Sequence, residues 1–179
     1  MSRFARYRAR LATSATRLRR HMKGNPKVIA ELNVALREEL TAINQYFIHA
    51  EMCHKWGYHA LGKYIKKQSI DEMKHAEKLI ERLLFLDSTP KMEYLELNIG
   101  GDVKAQLTAD YKLEVAAVEM YNKAVAIARE NNDDASRELF ALLLKDEEEH
   151  VGWLERQLHQ IKELGYETYL SNLTEGKEG

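Results

Sequence analysis

The chain has 179 residues, 45% of them hydrophobic and 31% charged, with two prolines and nine glycines. That length suits one domain with a core that needs no covalent staples, and the single cysteine, Cys53, excludes a disulfide framework within the chain. The cysteine usage points to a reducing compartment, and no apolar run approaches the roughly 18 residues of a membrane span, so a soluble, cytoplasmic protein is expected.

The net charge of −1 hides an asymmetry. Residues 1–21 carry seven arginines and no acid; removing these from the 27 basic residues leaves 20 against 28 acidic ones, a net of −8. An acidic body suits cations better than nucleic acid, and no membrane partner is expected. The Arg-, Ser- and Ala-rich leader reads as a disordered tail or a start assigned upstream of Met22, with targeting, cargo docking or a polyanion-binding arm as alternatives. Residues 22–179 read as one domain.

Helical periodicity begins at Asn25-Pro26, an N-cap followed by proline at the first helical position. The first helix runs to a break at Lys55–Tyr58 containing Gly57, and the second from about Tyr58 to Leu86. Asp87-Ser88-Thr89-Pro90 stops it. An aperiodic stretch follows to Gly100-Gly101-Asp102, where Asp102 can cap a third helix reaching about Glu130. After Asn131–Asp134 a fourth helix reaches Leu164, with Gly165 at its C-terminal cap, and Tyr166–Leu173 forms a short fifth. The two short breaks make helices 1 and 2, and 3 and 4, antiparallel. The middle connection of about 14 residues can stretch to roughly 46 Å, enough to cross a helix of about 42 Å and leave helices 2 and 3 parallel. The expected fold is all-α: a four-helix bundle with one long crossover.

Each helix has a core stripe interrupted by polar residues. The stripes are Leu32, Leu36, Glu39, Ile43, Tyr46, Ala50; Leu61, Ile65, Gln68, Glu72, His75, Leu79, Leu83, Leu86; Leu107, Tyr111, Glu114, Val118, Tyr121, Val125; and Phe140, Leu143, Glu147, His150, Leu154, Ile161. Glu39 precedes Glu72 by 33 residues, as Glu114 precedes Glu147; both later glutamates open a Glu-x-x-His, ending at His75 and His150. Adding 75 maps one half's set, Tyr46 included, onto the other's, ending at Tyr121. Four carboxylates sharing one site would hold protons rather than ionise together, and no Lys or Arg lies in these layers to balance them. Two divalent cations would neutralise them and take one imidazole each; carboxylate and imidazole ligation suits iron or manganese. Glu39, Glu72, His75, Glu114, Glu147 and His150 are therefore the candidate metal ligands.

Residues 22–179 resemble the bacterioferritins, notably in Asn44-Gln45-Tyr46-Phe47, in Ser69-Ile70-Asp71-Glu72-Met73-Lys74-His75-Ala76, in Leu97-Asn98-Ile99-Gly100 and in Asp146-Glu147-Glu148-Glu149-His150. The resemblance implies a ferritin-like bundle in a hollow homo-oligomeric 24-mer built from dimers, with a short fifth C-terminal helix. It implies a di-iron centre within each subunit: Glu39 and His75 on one iron, Glu114 and His150 on the other, Glu72 and Glu147 bridging, and Tyr46 close by. It also implies a ferroxidase that oxidises Fe(II) with dioxygen or hydrogen peroxide and stores Fe(III) mineral. Met73 would be the axial ligand of a haem b shared by two subunits, and a small ferredoxin would supply electrons for iron release.

Met73 follows Glu72 by one residue, about 100° round the helix, and so faces away from the metal stripe. Family members often have histidine at the position of Lys67, where with Asp71 it would bind iron on the inner surface; Lys67 cannot do so while protonated. Trp56 is expected in packing or a dimer contact, His49, His54, His59 and His159 on the surface or in packing, and Cys53 as a packed thiol. Two other functions use part of the same features. A di-iron oxygenase or rubrerythrin-like peroxidase shares the ligand set, although one cysteine cannot build a Cys₄ iron domain. A DNA-coating mini-ferritin would use the arginine leader, against an acidic body.

Overall fold

The computed structural model describes residues 23–174. The expectations for the Arg-rich leader and for a start at Met22 lie outside the described residues. Five helices follow in order: α1 Pro26–Lys55, α2 His59–Phe85, α3 Val103–Glu130, α4 Asp134–Leu164 and α5 Tyr166–Ser171. Among the described residues there is no strand.

Local chemistry sets the helix ends. The Asn25 side chain accepts from the Lys27 N–H at 2.9 Å, ahead of Pro26. Asp102 accepts from the Ala105 N–H at 2.8 Å and Asp133 from the Ser136 N–H at 3.0 Å, each satisfying an otherwise orphaned first-turn donor. Gly165 separates α4 from α5 at φ 81°, ψ 149°. That differs from the left-handed cap conformation expected there; it is a region only glycine enters readily, and it turns the chain directly into α5. Tyr169 of α5 is buried and its hydroxyl donates to Gln157 Oε1 of α4 at 2.9 Å, which docks the short helix.

Helices α1 and α2 form one hairpin and α3 and α4 the other, with α1 also packed on α3. The crossover climbs beside α1 in the same direction. Its Lys91, Leu95, Asn98 and Gly100 N–H groups donate in turn to Asn33 Oδ1, Thr41 Oγ1, Gln45 Oε1 and His49 Nε2 of α1, at 2.9, 2.9, 2.9 and 3.1 Å. A segment without its own secondary structure thus satisfies its backbone donors with side chains from one row of α1. Since it rises along α1, α2 and α3 run parallel, as the connection length requires.

The apolar core comes in two clusters. One holds Leu32, Leu36, Leu79, Leu83, Phe140 and Leu143 with their neighbours, and the other Ala50, Leu61, Ile65, Leu107, Leu154 and Ile161 with theirs. At about 1.5–3 kcal/mol for each large aliphatic side chain buried, these clusters carry the bundle's stability and fix the layer between them. The stripe expected for α3 needs correction: Tyr111, Val118 and Val125 are only partly buried, while Leu107, Asp110, Glu114, Ala117, Tyr121, Ala124 and Ala128 form the buried row. Small and polar residues take the innermost line because α1 packs closely there, and the bulkier residues flank it. Ile43 of α1 is likewise partly buried.

Candidate metal centre

The carboxylate layer lies at mid-helix. Glu39, Glu72, Glu114 and Glu147 are each at most 3% exposed, His75 is buried and His150 partly buried. All six expected residues are brought together, in two overlapping groups: Glu39, Glu72, His75 and Glu147, and Glu72, Glu114, Glu147 and His150, each with its ligand atoms within 4.8 Å of one another. Glu72 and Glu147 belong to both. Glu72 Oε2 lies 2.8 Å from His75 Nδ1 and its Oε1 lies 3.0 Å from His150 Nδ1. Glu147 approaches the same two nitrogens at 3.3 and 3.2 Å. Glu39 faces only His75, at 3.5 Å, and Glu114 only His150, at 3.8 Å.

Tyrosines tie the two hairpins across this layer. The Tyr46 hydroxyl of α1 donates to Glu114 Oε1 of α3, and the Tyr121 hydroxyl of α3 donates to Glu39 Oε1 of α1. The internal repeat is thus reciprocal in space: each hairpin's tyrosine orients the other hairpin's outer glutamate.

The electrostatics follow from burial. Burial, and then the negative charges of Glu147 and Glu72, push Glu39 well above the usual carboxylate range. Glu114 is raised mainly by burial and by Glu147. Burial would also raise Glu147, but the His150 and His75 imidazoles beside it outweigh that and hold its pKa at about 2. Burial alone would lower His75, yet the carboxylates of Glu147, Glu39 and Glu72 crowded against it raise it to about 12; His150 is raised likewise by Glu114, Glu147 and Glu72. Burial and the adjacent glutamates raise both tyrosines, which keeps them as neutral donors.

The polar atoms here are crowded rather than paired. Glu72 Oε1 and Oε2, His75 Nδ1 and Glu147 Oε1 are buried at ion-pair distances from their neighbours but lack an aligned hydrogen-bond partner. An N–H donates in one direction, whereas a cation satisfies several oxygens and a nitrogen at once. The donor set fits two cations held by oxygen and imidazole ligands.

A cavity of about 650 Å³ between α2 and α4 reaches His75 and His150; Gln68, Asp71, Asp146 and Trp153 also line it. On the opposite side, Glu39, Glu114, Ala42 and Ala117 leave a gap of only about 10 Å³. At the cavity, Lys67 Nζ lies 3.1 Å from Asp71 Oδ2 and Lys74 Nζ 2.7 Å from Asp71 Oδ1, so lysines occupy both oxygens of that carboxylate. Asp146, which the 75-residue offset maps from Asp71, instead lies 3.3 Å from His75 Nε2. The sequence reading missed Asp146, although that offset was the signal that could have found it.

Met73 stands outside this group, 48% exposed on α2, with Ile70 and Phe47 also exposed on the α1–α2 hairpin. Of the other histidines, His49 is neither a surface group nor a simple packing residue. It is fully buried, with Nδ1 donating to Asp110 Oδ1 at 2.9 Å and Nε2 accepting from Gly100. His159 is exposed, and Trp56 caps α1 half-exposed. Cys53 is a buried thiol that donates to Gln106 Oε1 at 3.2 Å, its pKa pushed up to about 12 by burial and by Asp110.

A ferritin-like domain family model matches residues 29–164. Bacterioferritin from Brucella melitensis is 44% identical over 149 residues, covering 83% of this chain and 92% of the relative. Bacterioferritin from Streptomyces coelicolor is 41% identical over 155 residues, covering 86% and 93%. The Mycolicibacterium paratuberculosis bacterioferritin is 40% identical over 149 residues, covering 83% and 94%. The repeated carboxylate–histidine set, the crossover bundle and these relatives agree: the chain belongs to the ferritin-like family, among the bacterioferritins.

Proposed function

We propose that the chain is an iron-storage subunit with ferroxidase activity, taking Fe(II) as substrate. The observation that carries this reading is the pair of overlapping buried carboxylate–histidine groups, balanced by no Lys or Arg among the described residues. Glu39 and His75 would hold one ion, Glu114 and His150 the other, and Glu72 and Glu147 would lie between them. Each Fe(II) gives up one electron. Dioxygen accepts two electrons and two protons and leaves as hydrogen peroxide, or peroxide accepts the same and leaves as two waters.

The protein's part is geometric and protonic. Tyr46 and Tyr121 hold the outer glutamates in place. His75 and His150 give up their protons as cations enter. The α2–α4 cavity provides a route from the protein surface. Oxidised iron would then collect as mineral inside a 24-subunit shell built from dimers, in the cytoplasm. The exposed Met73 thioether, on the same hairpin as the exposed Ile70 and Phe47, would hold a haem b between two subunits, and a small ferredoxin would supply the electrons for iron release. Haem when bound supplies one-electron chemistry; the chain supplies the thioether and an apolar face.

The test is aerobic Fe(II) oxidation by Glu147→Ala and Glu72→Ala beside the unsubstituted protein. Each variant is expected to keep its helical circular dichroism, since the two apolar clusters on either side of the layer carry the bundle. Each is expected to lose fast oxidation by about 100-fold or more, the upper range for losing an outer partner of a metal site alone. Folded variants that oxidise at the unsubstituted rate would refute the reading.

A further inference from the structure

We propose that His54 and His59 form a second metal site, a two-imidazole clamp at the α1–α2 turn for a divalent transition ion of the zinc or copper class. Their Nδ1 atoms lie 3.4 Å apart, with ring centroids 5.7 Å apart and planes inclined by 34°. A tetrahedral ion bonded at about 2.05 Å to each of two imidazole nitrogens places those nitrogens about 3.3 Å apart, so the nitrogens already stand at the separation such an ion needs, and the rings, which meet head-on, need only turn by roughly 35° to aim both lone pairs at it.

The rings are held there by the fold. The far edge of His54 rests on Gly62 of α2, where a Cβ would come within 3.0 Å of His54 Cδ2 and Nε2; glycine is what admits the ring and leaves Nδ1 facing His59. The turn between them is fixed by Gly57 N–H donating to His54 O at 3.1 Å and Tyr58 N–H donating to Cys53 O at 2.9 Å, with Gly57 at φ 88°. Both histidines are partly buried, so water can complete the coordination shell.

Without an ion, one ring donates its proton to the other; an ion replaces that proton. Imidazole alone selects zinc, copper or nickel over calcium and magnesium. Along α2, His59 lies 16 residues before His75, about 24 Å at 1.5 Å per residue, so the clamp is separate from the carboxylate layer.

Zinc titration of the metal-free protein tests this, with bound zinc counted after equilibrium dialysis for the unsubstituted chain, His54→Gln and His59→Gln. Each variant is expected to bind one zinc fewer per chain while oxidising Fe(II) at the unsubstituted rate. Copper(II) electron paramagnetic resonance is expected to show coupling to two imidazole nitrogens that either variant reduces. Equal zinc counts in all three proteins, or a loss in only one variant, would overturn the clamp. Should His54→Gln fail to fold because of its packing on Gly62, His59→Gln at the start of α2 decides by its zinc count alone.

Discussion

Without cations, the mid-bundle layer balances its charge with protons: Glu39 and Glu114 are pushed towards the neutral form, while His75 and His150 are pushed towards the charged form. A protonated imidazole has no lone pair to give, so an entering cation must displace these protons. Affinity for divalent cations should therefore rise with pH. Calorimetry at about pH 6 and about pH 8 should find tighter binding at the higher value and protons released to the buffer; binding independent of pH would contradict the proton balance. The tyrosines give a second prediction at this scale. Tyr46→Phe removes the donor to buried Glu114 and Tyr121→Phe the donor to buried Glu39, so each should cost about 1–3 kcal/mol. Thermal unfolding should show similar falls of several degrees for the two variants, since their surroundings are reciprocal. These contacts were not legible in the sequence: the offset of 75 pairs Tyr46 with Tyr121, but that each reaches the other hairpin's glutamate depends on how the hairpins dock.

Among the elements, the crossover is where the sequence said least. The helices were legible because their signals are local: caps at Asn25, Asp102 and Asp133, breaks at Gly57 and Asn131–Asp134, and apolar spacing between them. The crossover has no period because α1 side chains, not its own pattern, satisfy its backbone. His49 therefore gave no sign of its role; its partners Gly100 and Asp110 lie 51 and 61 residues away. His49→Ala should leave the Gly100 N–H unpaired, leave buried Asp110 with only the Gln45 side-chain amide as partner, and open a cavity, costing about 3 kcal/mol, with faster hydrogen exchange at the Asn98 and Gly100 amides. Gly100→Ala should damage the same junction by another route. Its Cβ would meet the Gln106 backbone nitrogen at 2.2 Å, backbone that cannot move aside without shifting the first turn of α3. A loss of about 3 kcal/mol or more in denaturant unfolding is expected, with the carboxylate centre still binding cations.

For the whole molecule, the fold and the six centre residues were readable because the chain repeats itself. One Glu-x-x-His is common on helix surfaces, whereas two of them, each 33 residues after another glutamate on a core stripe, leave little choice of arrangement. What the repeat cannot show is where the halves differ: Asp146 lies beside His75, but Asp71 is claimed by Lys67 and Lys74. Assembly belongs to this scale too. Met73→Leu should abolish the haem absorption band while leaving Fe(II) oxidation within about twofold, because Met73 faces out from α2 and the centre faces in. The most direct measurement is stepwise aerobic addition of Fe(II) to the metal-free protein, counting the iron that co-elutes with it. Iron storage predicts that oxidation and retention continue far beyond the roughly two ions per chain that the centre can hold. Uptake that stops at about two would leave a di-iron oxidase in place of a store.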